Sequence, residues 1–170
     1  MTATQIKVLV LCTGNSARSI LGEALFNHLG QGRVRAYSAG SRPSGQVNPL
    51  ALETLAKHSV PLPAEVRSKS WDEFAVPGAP HFDYLFTVCA SAAGETCPVW
   101  LGHPVTAQWG IADPAHVEPV EARREAFEVA YQALEKRIKA FLALDLASMS
   151  TKDVATAARL IHEAVGASEQ

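Results

Sequence analysis

The segment from Ile6 to Leu11 reads Ile-Lys-Val-Leu-Val-Leu, an apolar run interrupted by one charge. A run of this kind is a strand buried on both faces, as strands are in a parallel sheet covered by helices. It ends at Cys12. From Ser19 onward Ile20, Leu21, Ala24, Leu25 and Leu29 recur at helical spacing, with Gly30 as the stop. Val34 to Ser38 reads as a second strand, Ala39 to Gln46 as a Gly/Pro/Ser loop, and Pro49 to Lys57 as a helix opened by an Asn48 cap. Phe82 to Val88 is a third strand that delivers Cys89 to its C-terminal end, and Ala90 to Pro98 is a loop of small residues. Val105 to Ile111 is a weaker fourth strand, closing on Asp113-Pro114.

Between Glu121 and Leu144, Phe127, Tyr131, Leu134, Ile138 and Phe141 form the apolar stripe of a long amphipathic helix. Lys136, Arg137 and Lys139 read as its solvated face. A last helix is capped by Ser150, striped by Val154, Ala158, Ile161 and Val165, and ended by Gly166. Strands alternating with helices imply an α/β fold: a doubly wound, parallel, four-stranded twisted sheet with helices on both faces and its sites at the C-terminal ends of the strands. Residues 1–146 are expected to form the main domain and 147–170 a helical extension packed on it.

Charge and cysteine usage narrow the function. Fifteen Lys plus Arg against seventeen Asp plus Glu leave a net charge of −2, so no broad positive field attracts nucleic acid. The longest apolar runs, Val8 to Cys12 and Ala140 to Leu144, fall far short of the roughly 18 residues that span a bilayer. The N-terminus lacks the basic stretch and apolar core of a secretory signal, which makes a cytoplasmic protein the expectation. Cys12, Cys89 and Cys97 are an odd number and too few for a disulfide framework. The six histidines do not repeat at a metal-ligand spacing, and Cys89, Cys97 and His103 do not match a zinc ribbon, so no metal site is expected.

Cys12-Thr13-Gly14-Asn15-Ser16-Ala17-Arg18-Ser19 joins the first strand to the first helix. A loop of that size can wrap its backbone N–H groups around one tetrahedral oxyanion at the positive end of the helix. Arg18 closes the ring with a bidentate clamp that Lys cannot reproduce. Gly14 and Asn15 both tolerate left-handed backbone angles. Cys12, facing the anion's centre among oriented N–H groups, is expected to be a thiolate nucleophile, with Ser19 placed to donate a hydrogen bond to its sulfur. Cys, five residues and Arg is a loose pattern on its own, which a buried Cys and a surface Arg also satisfy. The buried strand before it, Gly-Asn within it and the helix after it favour the anion loop.

These residues, with Tyr37-Ser38-Ala39-Gly40 after the second strand and Asp113-Pro114 late in the chain, resemble the low-molecular-weight protein tyrosine phosphatase superfamily. The resemblance implies that Asp113 is the general acid that protonates the departing oxygen. It also places Asn15, Glu23 and Ser38 where some relatives hold a monovalent cation; a plain surface charge on the first helix is the other reading of Glu23. Two departures from the phosphatases stand out: Ala115-His116 follow Asp-Pro where an aromatic wall is usual, and Ala17 precedes Arg where a second Cys is common. His116 reads as a solvated loop histidine beside Asp113. Trp71, Trp100 and Trp109 read as packing the core or the site rim.

The stretch Thr87-Val88-Cys89 through Cys97-Pro98-Val99-Trp100, with Trp109-Gly110 before Asp113-Pro114, is similar to the arsenate reductases built on the phosphatase fold. That resemblance implies attack of Cys12 on arsenate, a Cys12–Cys89 disulfide that releases arsenite, and relay to Cys97 through a loop that rearranges. Reducing equivalents would come from thioredoxin, or from glutaredoxin with glutathione, with no bound cofactor. Phosphate or sulfate fits the same loop. The alternatives are a tyrosine or small-phosphoester phosphatase using Cys12, Arg18 and Asp113 alone, and a non-enzymatic anion-binding domain.

Overall fold

The computed structural model describes residues 5–62, 66–88 and 104–168. In chain order it contains β1 (Ile6–Cys12), α1 (Arg18–Gly30), β2 (Val34–Gly40), α2 (Pro49–Lys57), a 3-10 helix (Trp71–Phe74), β3 (Tyr84–Thr87), β4 (Val105–Gln108), α3 (Val120–Leu142) and α4 (Thr151–Ser168). The strands form one sheet in the order β2-β1-β3-β4, and every pair is parallel. This is the doubly wound α/β sheet that the sequence implies. Its direction of winding reverses between β1 and β3, so the crevice of the fold opens where Cys12 leaves the sheet.

Val8, Leu9, Val10 and Leu11 are all fully buried, because β1 is central and covered on both sides. Val8, Val10 and Phe86 pack into a large cluster with residues of all four α-helices. Leu9, Leu11 and Leu85 pack on the opposite face with Ala39, Trp71, Phe74 and Phe82. Each such side chain contributes about 1.5–3 kcal/mol through burial. The 3-10 helix, capped by the Ser70 side chain, has no apolar periodicity long enough to announce it; it brings Trp71 and Phe74 onto the second face.

Several boundaries differ from the sequence reading. β2 runs on through Ala39 and Gly40, which pair with Leu11 and Cys12, because the partner strand extends that far. β3 and β4 are shorter than their apolar runs, yet ladder-like bonds continue past them from Trp109 N to Thr87 O (2.7 Å) and from Ile111 N to Val88 O (3.1 Å). Gly30 is the last residue of α1, and the left-handed residues that stop it are the next two, Gln31 (φ 47°) and Gly32 (φ 84°). The glycine at 30 makes room for Val34, whose Cβ would lie 2.6 Å from a Cβ there.

Ser150 caps α4 as expected, accepting from Asp153 N at 3.1 Å, but the helix continues through Gly166 to Ser168. One interior glycine costs only about 1 kcal/mol, and this one lies over Arg137. Arg137 itself is not solvated. It is 2% exposed, donating to Ala133 O at 2.9 Å and to His162 Nδ1 at 3.0 Å, because α4 packs on that side of α3. Among the described residues no helix is long and apolar enough to cross a membrane.

Candidate active site

β1 is rigid and buried to its last residue, and it holds Cys12 at 4% exposure at the base of the loop 13–18. The loop's shape is set from outside. Thr13 O accepts from Arg42 N (2.9 Å), Gly14 O from Ser44 N (2.9 Å), and Ser16 O from Asn48 N (2.8 Å). Ser68 Oγ also donates to Gly14 O, at 3.1 Å. In a trans peptide the N–H points opposite to the C=O. Carbonyls tied outward to residues 42–48 therefore turn the amides of Gly14, Asn15 and Ala17 inward, as an anion cradle requires.

The left-handed position is Asn15, at φ 45°; Gly14 does not adopt positive φ. The Asn15 side chain is fully buried and works in two directions, accepting from Lys69 N at 2.8 Å and donating to Ser19 Oγ at 2.8 Å. Ser19 Oγ lies 3.1 Å from Cys12 Sγ. When Cys12 is a thiolate the sulfur can only accept, so the Ser19 hydroxyl is the donor in this contact and favours the charged form. Gly40 closes the back of the loop, since a Cβ there would lie 2.4 Å from Thr13 O. Helix α1 begins with no side-chain cap at Ala17, which leaves its positive end open toward the cradle.

Arg18 and Asp113 meet above the loop. Arg18 Nη1 donates to Ile111 O at 3.0 Å, and Nη2 lies 3.4 Å from Asp113 Oδ2. Asp113 Oδ1 accepts from Ala115 N at 2.9 Å, an Asx-type turn that fixes the carboxylate. His116 Nε2 is 4.0 Å from Asp113 Oδ2, with its side chain 89% exposed. Cys12, Thr13, Gly14, Ser16, Ala17, Arg18, Asp113 and His116 line a cavity of about 420 Å³, together with Ser44, Asn48 and Ala115. A small tetrahedral oxyanion fits there with accompanying water. Wider cavities lie elsewhere: one between β4 and α4, the other behind the 110–117 loop.

Behind the loop sits a buried ionic cluster. Glu23 is 5% exposed and Lys69 7%, so Glu23 is not a surface charge. The Ser38 hydroxyl donates to Glu23 Oε1 in a short bond, and Lys69 Nζ lies 3.8 Å from the same oxygen while donating to Arg67 O at 2.9 Å. Burial pushes the Glu23 carboxyl up, against the pull of Ser38 and Lys69. Burial pushes the Lys69 ammonium down, against the charge of Glu23. Lys69 and Ser68 belong to the site but were not legible in the sequence, where Ser-Lys-Ser before Trp71 forms no motif. Trp71 and Trp109 are core residues, at 7% and 0% exposure. Cys89, Cys97, Trp100, His103 and the 90–98 loop lie outside the described residues. Among the described residues no three His, Cys, Asp or Glu side chains converge as a metal site.

A parallel α/β sheet that ends in a Cys-X5-Arg cradle at its switch point, with an aspartate above, defines a cysteine-based oxyanion enzyme class. The model of the low molecular weight phosphotyrosine protein phosphatase family matches residues 7–155, and the chain belongs to that family. An arsenate reductase of Shouchella clausii is 30% identical over 135 residues, covering 79% of this chain and 93% of that protein. One from Bacillus licheniformis is 32% identical over 137 residues, with the same coverage. The crystal structure of an arsenate reductase from Archaeoglobus fulgidus superposes with a TM-score of 0.57 at 27% identity, covering 78% of this chain and 98% of that one.

Proposed function

We propose that this protein is a cytoplasmic arsenate reductase that works by thiol–disulfide chemistry. Cys12 is the nucleophile, the amides of residues 13–19 and Arg18 hold the arsenate, and Asp113 is the general acid. The Cys12 thiolate attacks arsenic, forming an S–As bond. An oxygen departs as water with the proton that Asp113 supplies. Cys89 then attacks the Cys12 sulfur: an S–S bond forms, the S–As pair stays on arsenic, and As(V) leaves as arsenite. Cys97 next attacks Cys89, freeing Cys12 and leaving a Cys89–Cys97 disulfide for thioredoxin, or for glutaredoxin with glutathione, to reduce.

The observation that carries this reading is the pairing of β1 with β3. Val88 N donates to Leu11 O at 2.8 Å, so the residue before Cys89 is bonded to the residue before Cys12. A Cys12–Cys89 disulfide requires their Cα atoms to come within about 7 Å. The curated relatives named arsenate reductase support the same substrate. Residues 1–146 form the catalytic domain in this proposal, and 147–170 its helical extension.

Ester hydrolysis is the second reading, favoured by the family itself and by a site in which Cys12, Arg18 and Asp113 suffice. Steady-state turnover of arsenate, with thioredoxin compared against glutaredoxin plus glutathione, tests the proposal. Cys89→Ser is expected to abolish arsenate turnover and spare any hydrolysis of phosphoesters. Unchanged arsenate turnover in Cys89→Ser rejects the assignment of Cys89.

A further inference from the structure

The loop that carries Asp113 leaves the sheet at Gln108, where β4 ends, and it is held from three sides. On one side its backbone continues to bond the end of β3, from Trp109 N to Thr87 O and from Ile111 N to Val88 O. Toward the cradle, Ile111 O accepts from Arg18. On the third side Trp109 is fully buried, parallel to Phe26, tilted against Phe86 and edge-on to Phe141, and its indole N–H donates to Ala158 O in α4 at 2.9 Å. Ala158 lies beyond the span 7–155 that the family model matches.

We propose that α4 positions the acid-bearing loop through the Trp109–Ala158 hydrogen bond, which makes Trp109 a positioning residue for Asp113. A buried indole N–H needs an acceptor, and the ladder that ends at Gln108 provides none for a side chain. The carbonyl of Ala158 fixes how deep the ring sits. The ring's depth sets the backbone at 109, and four residues later the carboxylate meets Arg18. Displacement of a reacting group by about 1 Å costs up to 10²-fold in rate, so a small slackening of this tether is read as chemistry. Packing of α4 alone would affect stability and leave the acid in place.

The inference rests on Asp113 acting as the acid, and the test separates the two. In the full-length chain, Trp109→Phe keeps the ring and removes the N–H. The expected result is a fall of about tenfold in the single-turnover rate of arsenate-dependent thiol loss at saturating arsenate, with the Kd for inorganic phosphate within about twofold of wild type. Asp113→Asn should then cost less in the Trp109→Phe background than in the wild type. An equal cost of Asp113→Asn in both backgrounds overturns the tether. An Asp113→Asn variant with wild-type turnover instead overturns the acid assignment, and the tether with it. If Trp109→Phe does not fold, Thr156→Gly, an exposed position on α4, carries the test. A reduced rate with unchanged phosphate affinity supports the tether, and an unchanged rate with a lowered Tm overturns it.

Discussion

Arg18 Nη2 lies 3.4 Å from Asp113 Oδ2, while the other end of the same guanidinium holds the Ile111 carbonyl. The cation that closes the anion cradle is therefore also a partner of the carboxylate assigned as acid. A bound oxyanion brings a second negative charge to Arg18, and like charges at one site disfavour double ionisation. Asp113→Asn removes that conflict. Phosphate should bind this variant a few-fold more tightly, while arsenate turnover falls about 10²–10³-fold, in the range of lost general-acid catalysis. Calorimetric titration with phosphate and a rate assay measure the two effects in opposite directions.

Ser19 Oγ lies 3.1 Å from the Cys12 sulfur and accepts from Asn15 Nδ2 at 2.8 Å, so against a thiolate, which carries no proton, its hydroxyl is the donor. Ser19→Ala removes a donor to the thiolate. In a background with Cys89 and Cys97 replaced by Ser, alkylation of Cys12 by iodoacetamide at neutral pH should slow about tenfold, equivalent to one unit in the thiol's titration. Mass spectrometry of the modified protein follows it.

Lys69 and Glu23 neutralise each other away from solvent. Lys69→Met leaves a buried carboxylate without its counter-charge and should cost about 3 kcal/mol or more in urea unfolding. Adding Glu23→Gln should recover most of that loss, because an uncharged pair needs no compensation. With the Lys69 ammonium beside Glu23, exchanging potassium for choline at equal ionic strength should leave the activity of the unmodified protein unchanged.

Glu128 on α3 accepts from His58 at 2.8 Å and from Gln132 at 2.8 Å, and His58 stacks on Tyr131 at 3.9 Å. Burial pushes the Glu128 carboxyl up, but these hydrogen bonds and the charge of His58 outweigh it and hold the group below its ordinary 4.5. A depressed carboxyl contributes stability that is complete above its unfolded value and lost as pH falls through its folded one. Glu128→Gln should therefore lower stability by about 0.5–1 kcal/mol at neutral pH and flatten the loss of stability below about pH 4.5. Urea midpoints across that range test the sign.

The fold was largely readable because its signals are local and strong. The six-residue run before Cys12 and the stripe from Phe127 to Phe141 each state their own period. The loop 13–18 between β1 and α1 was readable too, since the strand ends at Cys12 and the helical spacing begins just after Arg18. What escaped the sequence is assembled across distance. Lys69 enters the site from 54 residues beyond Asn15, with no periodicity to mark it. Arg137 carries a charge that pattern assigns to solvent, and only the packing of α4 buries it. Of Gly14 and Asn15, both read as tolerating a left-handed turn, Asn15 takes it, its side chain bonded to Lys69 N and Ser19 Oγ, while past α1 the turn falls on Gln31 and not on Gly30.

In this proposal the thiols around the Cys12 cradle are consumed by arsenate. The most direct measurement is a count of free thiols in the fully reduced protein after one equivalent of arsenate is added without any external reductant. Two of the three thiols are expected to disappear, with one equivalent of arsenite released and the disulfide mapped to Cys89. Three thiols remaining, with arsenate recovered unchanged, would contradict it.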